Sequence, residues 1–376
     1  MKKIAIIGGG ISGLYLANLL NDNQDFEYVI YEKLKKISTN QGYGIQLSVN
    51  SVKLLNKIGF KNLPASQIHF PSKVNFFQSN NLKKICDIDL TQFNDQLDKY
   101  TTLKRSTLIK FLLDKIDYNK IKFNTSLTQL ENQENIKASF SDGSTENFDY
   151  MVIADGVFSH SRNLISNRIV QPKYNNSVAL RANISAYNDR NISIFMGPNF
   201  HYVIYPVNQN NEYNFVAIIK KKIKKKNLQN QELFLSEKLN KSLTDILIKN
   251  SSLKVENLEQ IRTFPVFASN QLSFSSKKNI FLSGDALFAF PPSFAQGASQ
   301  SIETSQDIYE YISGFSNSGY KNRINRILEI NRRSKINHYA FQLSNPISIS
   351  IRNIVLKYFS KNNNFLENYL GKIYRN

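Results

Sequence analysis

Alternating apolar and amphipathic stretches at the start of the chain predict its first elements. Ile4 to Ile7 is an unbroken apolar run typical of a buried strand, and Tyr28 to Tyr31 is a second one. Between the two runs, Leu14, Ala17 and Leu20 recur at the spacing of a helix face. The pattern therefore predicts a βαβ unit, in which a helix connects two parallel strands.

The same patterns continue along the chain and predict strands and helices in alternating groups. Strands are expected at 74–78 and 83–88, as hairpins within 123–154 that turn at Asp142-Gly143, repeatedly within 177–219, and in "NIFLSGD". Helices are expected from about Asn50 with Val52, Leu55 and Ile58 as the buried face, over "TTLKRSTLIKFLLDKI", and from Glu232 to Ile248. Two more are expected near the end, with Ile324, Ile327 and Leu328 on one face of the first, and Ile351, Ile354, Val355 and Tyr358 on one face of the second.

Elements of the βαβ type recur on both sides of the β-rich stretches, which predicts an α/β fold with an inserted sheet. We expect a Rossmann-like nucleotide-binding domain built from the discontinuous segments 1–68, 100–168 and 270–340. The segments 69–99 and 169–269 are expected to form an inserted β-sheet substrate domain, and 341–376 a C-terminal helical segment.

Charge and cysteine content indicate which binding partners and which cellular compartment to expect. The formal net charge is +19, and "KKKIKKK" at Lys220 to Lys226 is its densest basic run, but Lys, Asn and Ile are frequent throughout the 376 residues. We therefore interpret the run as a solvated loop and expect no nucleic-acid partner, while weak peripheral attraction to anionic lipid stays open. The single cysteine, Cys86, excludes an intramolecular disulfide, and no apolar stretch is long enough to cross a membrane. We expect a cytoplasmic protein without a bound metal.

Three glycines follow the first strand in the pattern GxGxxG and suggest a dinucleotide site. Gly8 permits a tight turn, Gly10 lets a pyrophosphate approach the backbone, and Gly13 lets the helix pack closely on the strand. The free N–H groups of the first helical turn favour a bound anion. Glu32 ends the second strand, where it can accept hydrogen bonds from a ribose.

Two later segments place further chemistry at strand ends. In "ADGVFSHSR", Asp155 and Gly156 follow a strand, with Arg162 six residues after Gly156. In "FLSGDALFAFPPSFAQGASQ", Asp285 ends a strand, and Gly297 and Ala298 open a helix. Each segment alone is typical of a turn, but the two together with GxGxxG form a set.

With these motifs in this order, the chain resembles the class A FAD-dependent aromatic monooxygenases, the family of para-hydroxybenzoate hydroxylase and salicylate hydroxylase. The resemblance covers nearly the whole chain, including "KRSTLIKFL" and "FQLSNP". It implies FAD held by Gly8, Gly10, Gly13, Glu32, Arg105, Asp155, Gly156, Asp285, Gly297 and Ala298. In this scheme Arg105 lies near the phosphate and ribityl groups, Asp285 binds a ribityl hydroxyl, and the helix at Gly297 points its N–H groups at the flavin. NAD(P)H would bind as a transient co-substrate near Arg162. One departure is Leu287 and Phe288, where the family has a small residue and a histidine, which puts the usual substrate in question.

A finer resemblance, to the branch of salicylate hydroxylase and 6-hydroxynicotinate 3-monooxygenase, lies in "FMGPNFHYVIYPV". His201 and Tyr205 are four residues apart on a strand and therefore share a face. They are the expected catalytic pair, with His201 as the base that takes a phenolic proton. A plain structural role for both residues stays open. Arg181 and Pro292 are the expected substrate contacts, with Arg181 as the partner of a carboxylate.

The activity implied by the resemblance is hydroxylation of a small phenolic or N-heteroaromatic ring by NAD(P)H and O₂ through a flavin C4a-hydroperoxide. Two alternatives remain: a ubiquinone-pathway or other lipophilic-substrate hydroxylase, and a non-catalytic flavin or prenyl carrier on the same fold. The sequence leaves open the substrate, the choice of NADH or NADPH, and the oligomeric state.

Overall fold

The computed structural model describes residues 1–40, 42–132, 135–165, 170–184, 187–228, 230–253, 258–273, 275, 277–317 and 319–375. Its strands are β1 Lys2–Ile7, β2 Phe26–Glu32, β3 Gly44–Leu47, β4 Ile68–His69, β5 Lys73–Gln78, β6 Lys84–Asp89, β7 Thr101–Lys104, β8 Ile121–Phe123, β9 Leu127–Asn132, β10 Ile136–Phe140, β11 Thr145–Phe148, β12 Tyr150–Ile153, β13 Lys173–Ile184, β14 Ile192–Gly197, β15 Phe200–Pro206, β16 Tyr213–Lys220, β17 Leu258–Ala268 and β18 Ile280–Leu282. Its α-helices are α1 Ile11–Asn21, α2 Val49–Lys57, α3 Arg105–Leu113, α4 Ser161–Ile165, α5 Gln231–Leu235, α6 Glu237–Asn250, α7 Gly297–Ile312, α8 Gly319–Phe341, α9 Pro346–Phe359, α10 Asn363–Leu366 and α11 Lys372–Tyr374.

The predicted βαβ unit forms the centre of a five-stranded parallel sheet of order β18-β12-β1-β2-β8. Because β1 is flanked by strands and covered by helices, its apolar run Ile4 to Ile7 is buried. The helices α1 and α7 pack against each other beside this sheet. The α/β fold class with a Rossmann-like core is therefore confirmed.

A second sheet of seven strands, in the order β17-β13-β16-β15-β14-β5-β6, contains the other long strands. Its strands come from 73–89 and 173–268, inside the two segments expected to form the substrate domain. Smaller sheets of order β11-β10-β9 and β3-β7-β4 complete the fold. The assignment of these strands to a separate substrate domain, with its boundaries, stays a prediction.

Three helix predictions need correction. The helix expected over "TTLKRSTLIKFLLDKI" begins only at Arg105, because Thr101–Lys104 form β7, which pairs with β3 and β4. The helix expected over 232–248 is two helices, because Ser236 interrupts it and its hydroxyl oxygen caps α6 by accepting the N–H of Leu239 at 3.3 Å. In α8, Leu328 is exposed rather than on the packed face, which instead contains Ile327 and Ile330. Ile327 and Ile330 are three residues apart and therefore lie on the same side of the helix, so the buried stripe extends past the predicted residues to Ile330.

The apolar face predicted for the last long helix is present in α9 but points outward. Ile351, Ile354, Val355 and Tyr358 are all exposed, whereas Arg352 on the other side is buried. Leu356 packs with Phe76 and Phe341 and fixes this orientation. The helix therefore has apolar residues on both sides, and periodicity alone could not indicate which side faces the protein. None of the helices in the described ranges is long and apolar enough to cross a membrane.

Candidate active site

The glycine-rich turn connects β1 to α1 in the way its spacing predicts. Gly8 has a φ of +112°, which favours glycine, and its N–H donates to the Tyr31 carbonyl oxygen at 2.9 Å. A Cβ on Gly13 would overlap the Gly8 carbonyl oxygen, so only glycine permits this close approach. A Cβ on Gly10 would meet no atom within 4 Å. The turn is therefore tightly packed at Gly8 and Gly13 and open at Gly10.

Glu32 lies directly beside this turn, and its carboxylate is already hydrogen-bonded to the backbone. One oxygen accepts the N–H of Gly9 at 2.8 Å, and the other accepts the N–H of Leu34 at 2.9 Å. A carboxylate has about four lone-pair sites, so capacity for a ribose hydroxyl remains. The two backbone bonds fix the carboxylate in position.

A cavity of about 410 Å³ brings the first two motifs together. Its wall includes Gly8, Gly10, Glu32, Asp155 and Gly156. One Asp155 carboxylate oxygen accepts the N–H of Ser161 at 3.2 Å, while the other is buried without a partner. An unpartnered buried oxygen beside open glycine backbone fits the hydroxyl and phosphate groups of a dinucleotide. The residues of this cavity therefore fit the adenosine and pyrophosphate parts of FAD.

A second cavity, of about 620 Å³, joins the third motif to the predicted substrate residues. Its wall includes Asp285, Gly297 and Ala298 together with His201, Tyr205, Arg181 and Pro292. The rest of the wall is mainly aliphatic and aromatic, from the seven-stranded sheet, from β3 and from the C-terminal helices. Such a cavity excludes water from an apolar ring while a few polar groups orient it. We call it the substrate cavity.

The helix α7 begins at the wall of the substrate cavity. It starts at Gly297, and no side chain caps its free N–H groups. A Cβ on Gly297 would meet no atom within 4 Å, and the side-chain nitrogen of Gln296 is buried without a partner. Free N–H groups at a helix N-terminus stabilise negative charge. This terminus therefore fits the flavin edge, where a reduced ring is negative.

Asp285 faces the same cavity from the end of β18. Its carboxylate is exposed to the cavity but enclosed by surrounding protein, and this desolvation raises its pKa to about 6. The charge of Arg105 opposes the rise, which shows that Arg105 lies nearby. Arg105 begins α3, and its N–H donates to the Tyr43 carbonyl oxygen at 3.0 Å. Both residues expected near the ribityl chain thus lie on the same side of the fold.

His201 forms part of the cavity wall, yet its surroundings do not suit a strong base. The ring is 1% exposed, and burial, with the charge of His338 as a smaller cause, lowers its pKa to about 3. The Gln342 amide nitrogen donates to the Ile218 carbonyl oxygen at 3.2 Å and lies 3.5 Å from His201 Nδ1. An N–H facing Nδ1 makes Nδ1 the acceptor, so Nε2 carries the proton in the neutral ring. The geometry therefore favours a hydrogen-bond donor over the base expected from the sequence.

Tyr205 and Arg181 lie at another part of the same wall. Tyr205 is buried, which raises the pKa of its hydroxyl, and the positive charge of Arg181 opposes that rise. The Arg181 guanidinium carbon lies 5.6 Å from the centre of the Tyr43 ring. His201 and Tyr205 share a face of β15 with Val203 between them, as strand geometry predicts.

Arg162 is the predicted site residue whose surroundings fit its expected role least. Its side chain is fully buried, and the guanidinium donates to the carbonyl oxygens of Ala286 at 3.0 Å, Val170 at 2.9 Å and Val157 at 3.2 Å. These bonds join the segments after β12 and β18. Arg162 therefore holds the two strand-end motifs together, and a direct contact with NAD(P)H stays a prediction.

A wide groove of about 1400 Å³ lies beside Arg162. Its wall includes Phe158, His160 and Phe264, and also Lys225 and Lys226 from the basic run. Both lysines are exposed, as expected of a solvated segment, and both line the groove beside aromatic side chains. Such a groove can take a nucleotide through stacking and phosphate contacts.

Sequence reasoning missed Arg352, which comes from α9 and lines the substrate cavity. The side chain is buried, and burial lowers its pKa to about 10. Its guanidinium donates to the Ala340 carbonyl oxygen at 3.2 Å and to the Asn353 side-chain oxygen at 2.9 Å. No carboxylate in the described ranges forms an ion pair with it. An arginine in a helical stretch is usually exposed, so the sequence contained no signal for this position.

A dinucleotide cavity at a glycine-rich turn, with a helix N-terminus facing an apolar cavity, fits an FAD-binding enzyme with an apolar site beside the cofactor. The chain belongs to the FAD binding domain family, which matches residues 1–316. Its curated relatives are FAD-dependent monooxygenases, and so is this protein.

Among these relatives is the 3-amino-4-hydroxybenzoate 2-monooxygenase PtmB3 of Streptomyces platensis, 24% identical over 365 residues that cover 91% of this chain and 89% of the relative. Another is the 6-hydroxynicotinate 3-monooxygenase of Pseudomonas fluorescens, 27% identical over 186 residues, or 48% of this chain and 47% of that one. The predicted family is therefore confirmed.

Solved structures show the same fold. Klebsiella pneumoniae HpxO, complexed with FAD and uric acid, aligns with a TM-score of 0.82 at 15% identity, covering 99% of this chain and 96% of that chain. A salicylate hydroxylase substrate complex aligns with a TM-score of 0.74 at 16% identity, covering 100% and 97%.

Proposed function

We propose that the protein hydroxylates a small phenolic or N-heteroaromatic acid, using NAD(P)H and O₂. The observation that carries this proposal is the substrate cavity, where Asp285 and the α7 N-terminus share a wall with His201 and Tyr205. One relative acts on 3-amino-4-hydroxybenzoate and another on 6-hydroxynicotinate, each an aromatic acid with a ring hydroxyl. The proposed reaction takes place in the cytoplasm.

When bound, FAD would supply the redox chemistry that couples NAD(P)H oxidation to the transfer of one oxygen atom of O₂ to the ring. The chain supplies position and exclusion of water. The N–H groups at Gly297 and Ala298 would stabilise negative charge at the flavin edge, and Asp285 would hold the ribityl chain. The mainly apolar wall keeps bulk water from the reacting atoms.

His201 activates the ring by stabilising its oxygen rather than by removing its proton outright. A neutral imidazole that donates from Nε2 to a phenolic oxygen favours the phenolate, whose ring is the better nucleophile. This role agrees with the low pKa of His201, because the imidazole remains neutral at all pH values well above about 3. Tyr205 orients the ring through a hydrogen bond.

We assign the carboxylate of the substrate to an arginine side chain in the wall of the substrate cavity. Arg352 is the favoured partner, because a buried guanidinium without a counter-ion gains most from a carboxylate. Arg181, the partner expected from the sequence, lines the same cavity. A carboxylate bound by either arginine would fix which ring edge faces the flavin.

A hydroxylase of lipophilic substrates is the second candidate. The mainly apolar wall of the substrate cavity favours it. No observation specifically favours the third alternative, a non-catalytic carrier.

The experiment is a screen of substrate-stimulated NAD(P)H oxidation by the FAD-loaded protein, with product mass checked for one added oxygen. Each hydroxylated aromatic acid is paired with its uncharged amide. We expect stimulation by acids, with KM for the acid raised about tenfold or more in Arg352→Gln and the amide little affected. Stimulation only by lipophilic compounds would favour the second candidate. No stimulation by any compound would contradict both and favour the carrier.

A further inference from the structure

An exposed apolar surface lies on α9, in a place where the proposed reaction needs none. Ile347, Ile351, Ile354, Val355 and Tyr358 are 72%, 57%, 67%, 42% and 66% exposed. At about 100° per residue, these positions fall within roughly a third of the helix circumference. Over eleven steps of about 1.5 Å they form a stripe about 17 Å long. We call this stripe the α9 apolar face.

The end of α8 extends this surface. Ile336 and Tyr339 are 51% and 72% exposed, and the Arg352 side chain of α9 donates to the Ala340 carbonyl oxygen of α8. The two helices are thus in direct contact. Contiguous exposed apolar side chains of this kind mark a binding surface, since single exposed ones are common and scattered.

Between residues 330 and 366, the charges around this surface have one sign. From residue 330 to residue 366 the sequence contains no Asp or Glu, and Arg332, Lys335, Lys357 and Lys361 are exposed there. Tyr339 and Tyr358 add aromatic side chains that combine an apolar ring with a polar tip. An apolar stripe with lysine, arginine and tyrosine around it is the composition of helices that lie in a membrane interface.

The surface also borders the opening of the substrate cavity. Ile336 and Val355 are partly exposed and at the same time line that cavity. Their two helices therefore form a rim that is apolar on its outer side and continuous with the apolar cavity wall. A surface that covered this rim would meet any compound entering there.

We propose that the α9 apolar face and the end of α8 dock on an anionic membrane surface, with the opening of the substrate cavity towards the lipid. A second copy of this chain is the other candidate partner. It is disfavoured because each copy has a formal net charge of +19 and the same basic side chains would face each other. The proposal concerns this surface alone and does not depend on the reaction proposed above.

The test is co-sedimentation of the FAD-loaded protein with vesicles of phosphatidylcholine alone or mixed with phosphatidylglycerol. The double variant Ile351→Ser/Ile354→Ser removes two side chains that do not line the substrate cavity. The matched control, Leu97→Ser/Phe315→Ser, removes two apolar side chains that are 68% and 75% exposed elsewhere. Bound FAD and the melting temperature show that each variant is folded.

We expect the wild type to bind the mixed vesicles, less so as salt increases, and to bind phosphatidylcholine vesicles weakly. The affinity of the Ile351→Ser/Ile354→Ser protein for the mixed vesicles should fall by about tenfold or more, and the affinity of the control should not change. Failure of the wild type to bind mixed vesicles would overturn the proposal, as would equal binding to both vesicle types or an equal loss in the control. A dimer that dissociates in the double variant, without vesicle binding, would assign the face to a second copy.

Discussion

The three glycines of the GxGxxG motif differ in what surrounds them. Gly8 and Gly13 are fixed by backbone geometry, whereas Gly10 faces open space in the dinucleotide cavity. This difference separates the contribution of a glycine to folding from its contribution to the cofactor, and it permits a direct comparison of two variants.

Gly10→Val should fold like the wild type, because a Cβ at this position meets no atom within 4 Å and the φ of Gly10 is an ordinary −85°. The same side chain would crowd the FAD pyrophosphate, so FAD affinity should fall by about a hundredfold or more. Gly13→Val should fail to fold stably. The measurements are FAD titration and thermal melting of the apoprotein. Full FAD occupancy in Gly10→Val would remove the first motif from the cofactor site.

His201 gives a prediction for stability against pH. The folded protein holds its pKa near 3, against an ordinary value of 6.5 in the unfolded chain. Below about pH 6.5 the unfolded state therefore binds a proton that the folded state does not, and the free energy of unfolding falls as the pH falls towards 3. Between neutral pH and about pH 5 this one group accounts for about 2 kcal/mol.

Urea denaturation of the wild type and of His201→Gln, at neutral pH and at about pH 5, measures this contribution of His201 to the free energy of unfolding. The variant lacks the titrating ring, so it should lose about 2 kcal/mol less on acidification. Equal losses in both proteins would mean that His201 is protonated in the folded state, as a stronger base would be.

For the helices and strands, the sequence predicts where an element occurs and which type it is better than it predicts which side of the element faces the protein. The βαβ unit, the hairpins before β12 and the strand that contains His201 follow from apolar periodicity and turn residues, which act locally. The outward face of α9 and the break at Ser236 do not, because tertiary packing decides which of two apolar sides is covered. The buried position of Arg352 and the low pKa of His201 are likewise results of contacts distant in sequence.

The basic run at the groove provides a prediction at this scale. Lys225 and Lys226 line the wide groove, whereas the exposed Lys222 and Lys224 of the same run are not part of its wall. If the groove binds NAD(P)H phosphates, Lys225→Ala/Lys226→Ala should raise KM for NAD(P)H about tenfold and leave kcat and FAD binding nearly unchanged. Steady-state kinetics at fixed ionic strength measures this effect.

The double variant Lys222→Ala/Lys224→Ala is the matched control, because it removes the same charge from the same segment. A similar rise of KM in both variants would show that only the overall charge matters. No rise in either would place NAD(P)H elsewhere.

At the scale of the whole molecule, the two large sheets and the C-terminal helices form the site together, and none of them forms it alone. The parallel sheet supplies the dinucleotide cavity, the seven-stranded sheet supplies His201 and Tyr205, and α7 begins at the wall of the substrate cavity. The C-terminal helices close the far side of the substrate cavity and contribute Arg352. The chain can therefore hold a flavin and an aromatic acid side by side in an enclosed site, as hydroxylation requires.

The most direct test of this account is a turnover experiment in oxygen-18 gas, with the FAD-loaded protein, NAD(P)H and the aromatic acid that stimulates its oxidation most. We predict a product that contains one oxygen-18 atom and forms in equal amount to the NAD(P)H consumed. Product oxygen derived from water would contradict the account, and so would NAD(P)H oxidation that yields only hydrogen peroxide with every acid tested.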